Sequence, residues 1–255
     1  MVQINQTVAI IQARMSSSRL QHKVLMPLGG QPIIAQIFRR LKQCRTLDQI
    51  ILATSTNDDD NPIAGLCQQI GLPCSRGSLD DVLDRYYQTA TQAKATTIVR
   101  ITADCPVIDP VVVDAVVTAC RAGGYDYYGL SGSFPDGLDV EVFRYEALAR
   151  AWREATLKSE REHVGPFLGK HPELFKLGGL HLFEGLSHHR WTVDEPRDYA
   201  LLQAIYDRLD RPDRVFLTND ILALMDREPG LMEINSGIIR NEGYAKSLNE
   251  DEALR

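Results

Sequence analysis

The sequence predicts a three-layer α/β/α fold around a mixed, mostly parallel sheet with a small inserted lobe. Three observations point there. Short β-branched runs alternate with amphipathic helical patterns through the first half of the chain. Most of those helical patterns are bracketed by residues that start and stop helices. The second half breaks the alternation with a Ser/Gly/Pro-rich stretch and shorter segments, without repeats or low complexity, which reads as a lobe within one domain. Strands that alternate with helices need crossovers, and right-handed crossovers lay them parallel.

Residues 8–12 are apolar and read as the first strand. Pro32 opens a helix to about residue 44, with Ile33, Ile34, Ile37, Phe38 and Leu41 on one face. Residues 49–53 form the next strand. Asn61 and Pro62 supply an N-cap and a first-turn proline for a helix that stops at Gly71. A short strand over 72–75 follows. Ser78 and Asp81 make an acidic variant of the capping box for a helix to about residue 93. Residues 97–102 are a β-branched strand, and Asp109-Pro110 start a helix that Gly123-Gly124 end. Beyond it, 130–137 reads as a loop, 139–143 as an alternating strand and 144–157 as a helix. Ser159 to Glu162 give another capping box, opening a helix to about residue 170. Two strands, 176–183 and 190–193, precede a helix over 196–209. Thr218, Asn219 and Asp220 cap a last helix, which Pro229-Gly230 terminate. The tail from Leu231 is polar and ambiguous.

A chain of 255 residues, 44% hydrophobic and 24% charged, suits one globular α/β domain. Its net charge of −6 argues against a partner such as a nucleic acid polymer, yet leaves room for a local basic pocket that holds a mononucleotide. The five cysteines contain no Cys-x-x-Cys pair, which fits a reducing cytoplasm. The apolar run 8–11 is too short for a signal peptide, and no run approaches the ~18 residues of a membrane span. A cytoplasmic location with no membrane partner is therefore expected.

The stretch from Ile10 to Leu25 is the most informative. An apolar strand breaks into a small, polar, cationic loop in which Ser16, Ser17 and Ser18 stand between Arg14 and Arg19, with Lys23 beyond. Small side chains let backbone N–H groups approach phosphate oxygens, and the three cations supply charge. The spacing is neither a Walker loop nor a dinucleotide fingerprint. A solvated basic loop is the alternative; its place at a strand's carboxyl end favours a ligand. Asp104 and Asp194 each follow a strand signal. Converging, they would make a hard oxygen site for Mg²⁺; separately, each would cap a turn. Arg76, Gly77 and Ser78 join a strand to a helix, either as a base or ribose contact or as a plain turn. Arg100 is either an edge residue or a charge aimed at the site. Asp136, Asp139 and Glu141 cluster on a turn and strand start, and period-two alternation turns Asp139 and Glu141 the same way. With Glu162, His163 and Arg190 they are candidates for an acceptor site or else solvated charges. No zinc pattern and no serine-hydrolase elbow is present.

These stretches resemble the CMP-sugar synthetases, the cytidylyltransferases that activate acidic sugars such as sialic acids and Kdo, and in particular their spore-coat polysaccharide branch. The resemblance rests on Ile11-Gln12-Ala13-Arg14 with Ser18-Arg19-Leu20 and Lys23-Val24-Leu25, on Arg76-Gly77-Ser78, and on Thr102-Ala103-Asp104-Cys105-Pro106. It continues through Gly137-Leu138-Asp139-Val140-Glu141, Glu160-Arg161-Glu162-His163 and Arg190-Trp191-Thr192-Val193-Asp194-Glu195-Pro196, covering roughly residues 7 to 210. Relatives usually carry Pro-Gly where this chain has Gln21-His22.

The resemblance implies a nucleotide-diphospho-sugar transferase-like (GT-A/Rossmann-like) fold, with residues 1–230 as one nucleotidyltransferase domain. Residues 130–190 would be its acceptor and dimerisation lobe and 231–255 a tail. It implies transfer of CMP from CTP to a small acidic sugar, with pyrophosphate released, in surface polysaccharide synthesis, by a homodimer. Arg14, Lys23, Asp104 and Asp194 would be catalytic, the two aspartates holding Mg²⁺. Ala13, Arg14, Ser16, Ser17, Ser18, Arg19, Lys23, Arg76, Gly77, Ser78 and Thr102 would hold the nucleotide. Asp136, Asp139, Glu141, Glu162, His163 and Arg190 would hold the acceptor. A glycosyltransferase of related fold, which should show a clear Asp-x-Asp that this chain is read as lacking near a strand end, and a non-catalytic nucleotide-binding paralogue are the rival readings.

Overall fold

The computed structural model describes residues 5–17, 19–240, 244, 247, 248 and 251. Its strands are β1 (Thr7–Gln12), β2 (Pro27–Leu28), β3 (Gln31–Pro32), β4 (Gln49–Ser55), β5 (Cys74–Gly77), β6 (Thr97–Thr102), β7 (Tyr127–Gly132), β8 (Glu141–Arg144) and β9 (Leu177–Phe183). The helices are α1 (Ile33–Leu41), α2 (Asn61–Ile70), α3 (Val82–Gln92), α4 (Pro110–Gly123), α5 (Tyr145–Glu154), α6 (Lys158–His163), α7 (Pro166–Lys170), α8 (Pro196–Leu209) and α9 (Thr218–Arg227). Seven strands form one sheet in the order β5-β4-β1-β6-β8-β7-β9, and β2 and β3 make a separate two-stranded ribbon. β1 lies parallel to both β4 and β6, β4 parallel to β5, and β7 parallel to β9. β8 alone runs against its neighbours β6 and β7.

The pleat divides the core. Ala9 and Ile11 of β1 face one way, onto Ile33, Ile34 and Ile37 of α1, Val113 and Val117 of α4 and Leu202 of α8. Val8 and Ile10 face the other way, onto Leu83 and Tyr86 of α3, Leu148 of α5 and Phe167 of α7. Both faces of β1 are buried, as expected of a central parallel strand. The expected three-layer, mostly parallel architecture is the one observed.

Several boundaries differ from the sequence reading. The loop expected over 130–137 begins as the end of β7, because pairing on both sides by β8 and β9 outweighs the weak strand propensity of Gly129, Ser131 and Gly132. The helix expected from Ser159 to about residue 170 is two short helices. Val164 between them takes a left-handed φ of 69°, and Pro166 at the first turn of α7 cannot continue the preceding helix. The strand expected at 190–193 is extended but unladdered: it makes one isolated bridge, Asp136 with Arg190, and a bond from Val193 N to Asp104 O. The starts of α6 and α9 sit one or two residues earlier than the polar residues suggest, and that of α3 sits later. Glu160 and Asp220 reach back to the N–H groups of Leu157 and Leu217 at 3.3 and 2.8 Å, and Asp81, not Ser78, caps α3 through the N–H of Asp84.

Candidate active site

The carboxyl ends of β1, β4 and β6 lie side by side, with Gln12 opposite both Ala53 and Thr102. The loop after β1 is fastened there by Asp60. One of its oxygens accepts from Met15 N at 2.7 Å, the other from the hydroxyl and N–H of Ser55. Asp60 thus belongs to the loop's foundation: the Asp58-Asp59-Asp60 run is formally an Asp-x-Asp just past β4, contrary to the sequence reading, but both oxygens of its last carboxylate are engaged within the protein. His22 has a left-handed φ of 57°, the conformation that favours glycine.

Lys23 follows directly. Its Nζ lies 2.9 Å from Asp194 Oδ1, 3.3 Å from Asp104 Oδ2 and 2.7 Å from Val193 O. One ammonium therefore bridges the two carboxylates that the sequence singled out, so they stand no farther apart than those two contacts allow. Burial alone would lower the Lys23 pKa; the charges of Asp104 and Asp194 outweigh it and hold it above the ordinary value. Asp104 moves in the reciprocal direction. Burial would raise its carboxyl, but Lys23 and the Thr102 hydroxyl bring it below the usual range. Arg19 also reaches Asp194 Oδ1, at 3.1 Å. Lys23, expected on the phosphates, is here the link between the carboxylates.

Asp194 is set from behind by Arg190, whose side chain is only 8% exposed. Arg190 donates to Asp194 Oδ2 at 3.0 Å, to Asp136 Oδ2 at 2.7 Å and, through Nε and Nη2, to both oxygens of Asp198 at 2.9 and 3.0 Å. Asp198, fully buried on α8, also accepts from the backbone N–H groups of Asp194 and Glu195. Gly137, at φ 101°, lets the 136–139 turn close on this segment: a Cβ there would lie 2.6 Å from the Trp191 carbonyl carbon.

Next to the carboxylates a cavity of about 530 Å³ opens between β6, β8, β7 and the α6–α7 junction. Asp104, Asp136, Asp139, Glu141, His163, Arg190 and Asp194 all line it, as do Arg100 and Tyr127. Asp139 and Glu141 thus face the same space, as alternation required. Glu141 stands opposite Arg100 in the β6–β8 register and takes bonds from its guanidinium and from the Tyr127 hydroxyl. Burial lowers the His163 pKa, so its ring is held towards the neutral form.

Burial, then the Asp139 charge, push the Asp136 carboxyl up to about 6. An unfolded aspartate titrates near ~3.9. Between these values the folded protein keeps a proton that the unfolded chain has released, so this group makes stability fall as pH rises. The shift is worth roughly 2–3 kcal/mol. Urea titrations from about pH 4 to about pH 7 should show wild type losing that much relative to Asp136→Asn; parallel curves would mean that Asp136 is ionised throughout.

Most of the other predicted residues lie apart from the cavity. The Arg76 guanidinium is spent on Ser55 O, Asn57 O and Asn61 Oδ1 at 2.7–2.9 Å. Gly77 O accepts from Thr56 N, and Ser78 O from Arg85. Ala13 is buried beside β4, with its N–H on Ala53 O. Arg14 is exposed and touches Glu162 at 3.9 Å. Ser16 is exposed and Ser17 partly so, its hydroxyl accepting from Leu20 N at 3.4 Å; Ser18 lies outside the described residues. Thr102 lines the cavity and meets the Cys105 thiol at 3.3 Å.

The cytidylyltransferase family model matches residues 8–210, which contain all of these groups. The chain belongs to the cytidylyltransferase family. It is 31% identical to the spore coat polysaccharide biosynthesis protein SpsF of Bacillus subtilis over 234 residues, 89% of this chain and 96% of that one. It is 37% identical over 242 residues to an uncharacterized protein of Methanocaldococcus jannaschii, 93% of this chain and 97% of that one. A cytidylyltransferase structure from Leptospira borgpetersenii superposes with a TM-score of 0.86 at 27% identity, covering 92% of this chain and all of the other.

Sequence reading missed several groups that shape this cytidylyltransferase site. Asp198 was findable: it stands four residues after Asp194 and three after Glu195, the spacing of a helix start. Arg100 was noticed as out of place in an apolar strand, and the structure decides for a charge aimed at the cavity. Tyr127 and Arg240 gave no local signal. Among the described residues no cluster of three or more His, Cys, Asp or Glu could hold a metal. Asp104 and Asp194 nevertheless fit a hard divalent cation that takes its remaining oxygens from phosphates and water, since both already converge on one cationic atom. Among the described residues no helix is long and apolar enough to cross a membrane.

Proposed function

We propose that this cytidylyltransferase transfers CMP from CTP to an oxygen of a small sugar-type acceptor, releasing pyrophosphate. The observation that carries this reading is the Lys23 ammonium between Asp104 and Asp194, at the junction of a cationic loop and an acid-lined cavity. The acceptor oxygen attacks the α-phosphorus in line; the new P–O bond forms as the bond to the β-phosphate oxygen breaks. Arg14, Arg19 and the serine loop hold the departing phosphates and stabilise their charge. Lys23 moves from the carboxylates to the triphosphate as the nucleotide arrives. Asp104 and Asp194 would hold Mg²⁺, which would supply charge neutralisation and orientation of the reacting groups. The Arg190–Asp198 pair keeps Asp194 in place. With the Arg76 guanidinium and the Gly77 and Ser78 carbonyls engaged within the protein, a base contact at this turn would fall to its N–H groups and the Ser78 hydroxyl. Such transfer needs positioning and electrostatics more than covalent chemistry.

The similarity to SpsF supports a role in surface polysaccharide biosynthesis; a cytoplasmic location and a homodimer belong to the same proposal. Pyrophosphate release measured with Mg²⁺, the four common nucleoside triphosphates and a panel of acceptors tests the reading. CTP should be preferred. Release from none of the nucleotides, or consumption of a ready-made nucleotide sugar instead, would sink it in favour of a binding protein or a glycosyltransferase.

A further inference from the structure

The segment after residue 210 lies beyond the family match, and its sequence gave no motif. Yet its described residues return to the cavity. Ile239 and Tyr244 line it. Arg240 Nη2 lies 3.3 Å from Asp139 Oδ1 and its Nε 3.6 Å from Asp136 Oδ1. Its Nη1 donates to Phe134 O at 3.0 Å, and its guanidinium sits 4.4 Å over the Phe134 ring. The Tyr244 ring packs edge-on to His163 at 5.0 Å. The Ser247 hydroxyl lies 2.9 Å from His163 Nε2 and donates to Glu162 Oε2 at 3.2 Å. Asp251 accepts from the N–H and hydroxyl of Ser159 at 2.9 and 2.7 Å. Four of the residues so contacted, Asp136, Asp139, Glu162 and His163, are acceptor-side candidates.

We infer that Ile239, Arg240 and Tyr244 complete the acceptor pocket and that Arg240 is the cation that receives an acidic group on the acceptor. This rests on the transfer reading proposed above. The three arginines facing Asp136, Asp139 and Glu141 are not equivalent. Arg190 is fixed by three carboxylates at 2.7–3.0 Å and is 8% exposed. Arg100 is bound to its cross-strand partner Glu141. Arg240 holds its carboxylates at longer range and is 27% exposed. It can exchange a protein carboxylate for a ligand oxyanion at little cost, because a loose, part-exposed pair contributes little. The carboxyls it would leave, Asp136 and Asp139, are both pushed upward by burial and can take up protons. The contacts of the segment's described residues are mostly polar and Ile239 is 73% exposed, as suits a wall that adjusts to its ligand more than one that supports the core.

The test uses the full chain carrying Arg240→Gln, Arg240→Lys or Tyr244→Ala. The acceptor probes are Kdo and N-acetylneuraminate, each also as its uncharged methyl ester. With wild type, pyrophosphate release should favour the acids over the esters. Arg240→Gln should raise the KM for the acids by about tenfold or more, the loss of one charge-assisted contact. It should leave the KM for CTP within about twofold and remove the preference over the esters, while Arg240→Lys restores part of it. Tyr244→Ala should raise the KM for acids and esters alike. Unchanged acid KM and unchanged acid–ester preference in a folded Arg240→Gln protein would overturn the inference, as would equal use of acids and esters by wild type. Absence of pyrophosphate release with CTP and every acceptor would overturn the transfer reading, and this inference with it.

Discussion

Replacing Asp194 with alanine should lower kcat/KM for pyrophosphate release from CTP by about three orders of magnitude or more, the scale of losing one essential electrostatic group. Asp194 is where three cations meet: Lys23 at 2.9 Å, Arg19 at 3.1 Å and Arg190 at 3.0 Å. Alanine removes half of the carboxylate pair and leaves the cations without the charge that gathers them. The fold should survive. Arg190 keeps Asp136 and Asp198, and Lys23 keeps Asp104 and the Val193 carbonyl. The melting temperature should therefore shift by only a few degrees, on the order of 1 kcal/mol. Stopped turnover in a folded protein is the expected pairing. Full turnover would remove Asp194 from the mechanism, and a collapse of the melting temperature would make it a structural residue first.

The parts of this molecule that could be read from its sequence are those governed by local chemistry. β1, β4 and β6 were legible because both faces of a central parallel strand must be apolar. α4 was legible because Asp109 accepts from Val111 N and Pro110 fills the first turn. Asp104 and Asp194 could be named as a pair because each follows a strand signal within a motif that resembles the family's, although their meeting through Lys23 could not be. What escaped depended on distant partners. β7 is a strand only because β8 and β9 pair with it. Arg76, a plausible base contact by position, is absorbed by the end of β4 and the start of α2. Arg240 lies 101 residues from Asp139, and no local pattern marks such a contact.

Asp198→Ala should be the most destabilising single substitution near the site. Asp198 has no exposed surface, pairs with Arg190 through both oxygens and accepts from the N–H groups of Asp194 and Glu195, with Asn235 as a further donor. Burial would raise its pKa, but the Arg190 and Asn235 hydrogen bonds hold it below the usual carboxylate range. Alanine leaves a buried guanidinium short of one partner and orphans two backbone donors at the start of α8. Removing one member of a buried pair costs about 3–5 kcal/mol. For a chain of this size that amounts to a fall in melting temperature of roughly 6–20 °C. Arg190 would then be free to tilt, and it sets Asp194, so the variant should also lose turnover at temperatures where it is still folded. Asp198→Asn keeps the shape and one acceptor, and should recover most of the stability but less of the turnover, because the bidentate hold on Arg190 is gone. Thermal unfolding and kcat measured well below each variant's midpoint separate the two effects. If Asp198→Ala unfolds easily yet turns over normally when folded, Asp198 supports the fold alone and the Arg190 clamp does not position Asp194.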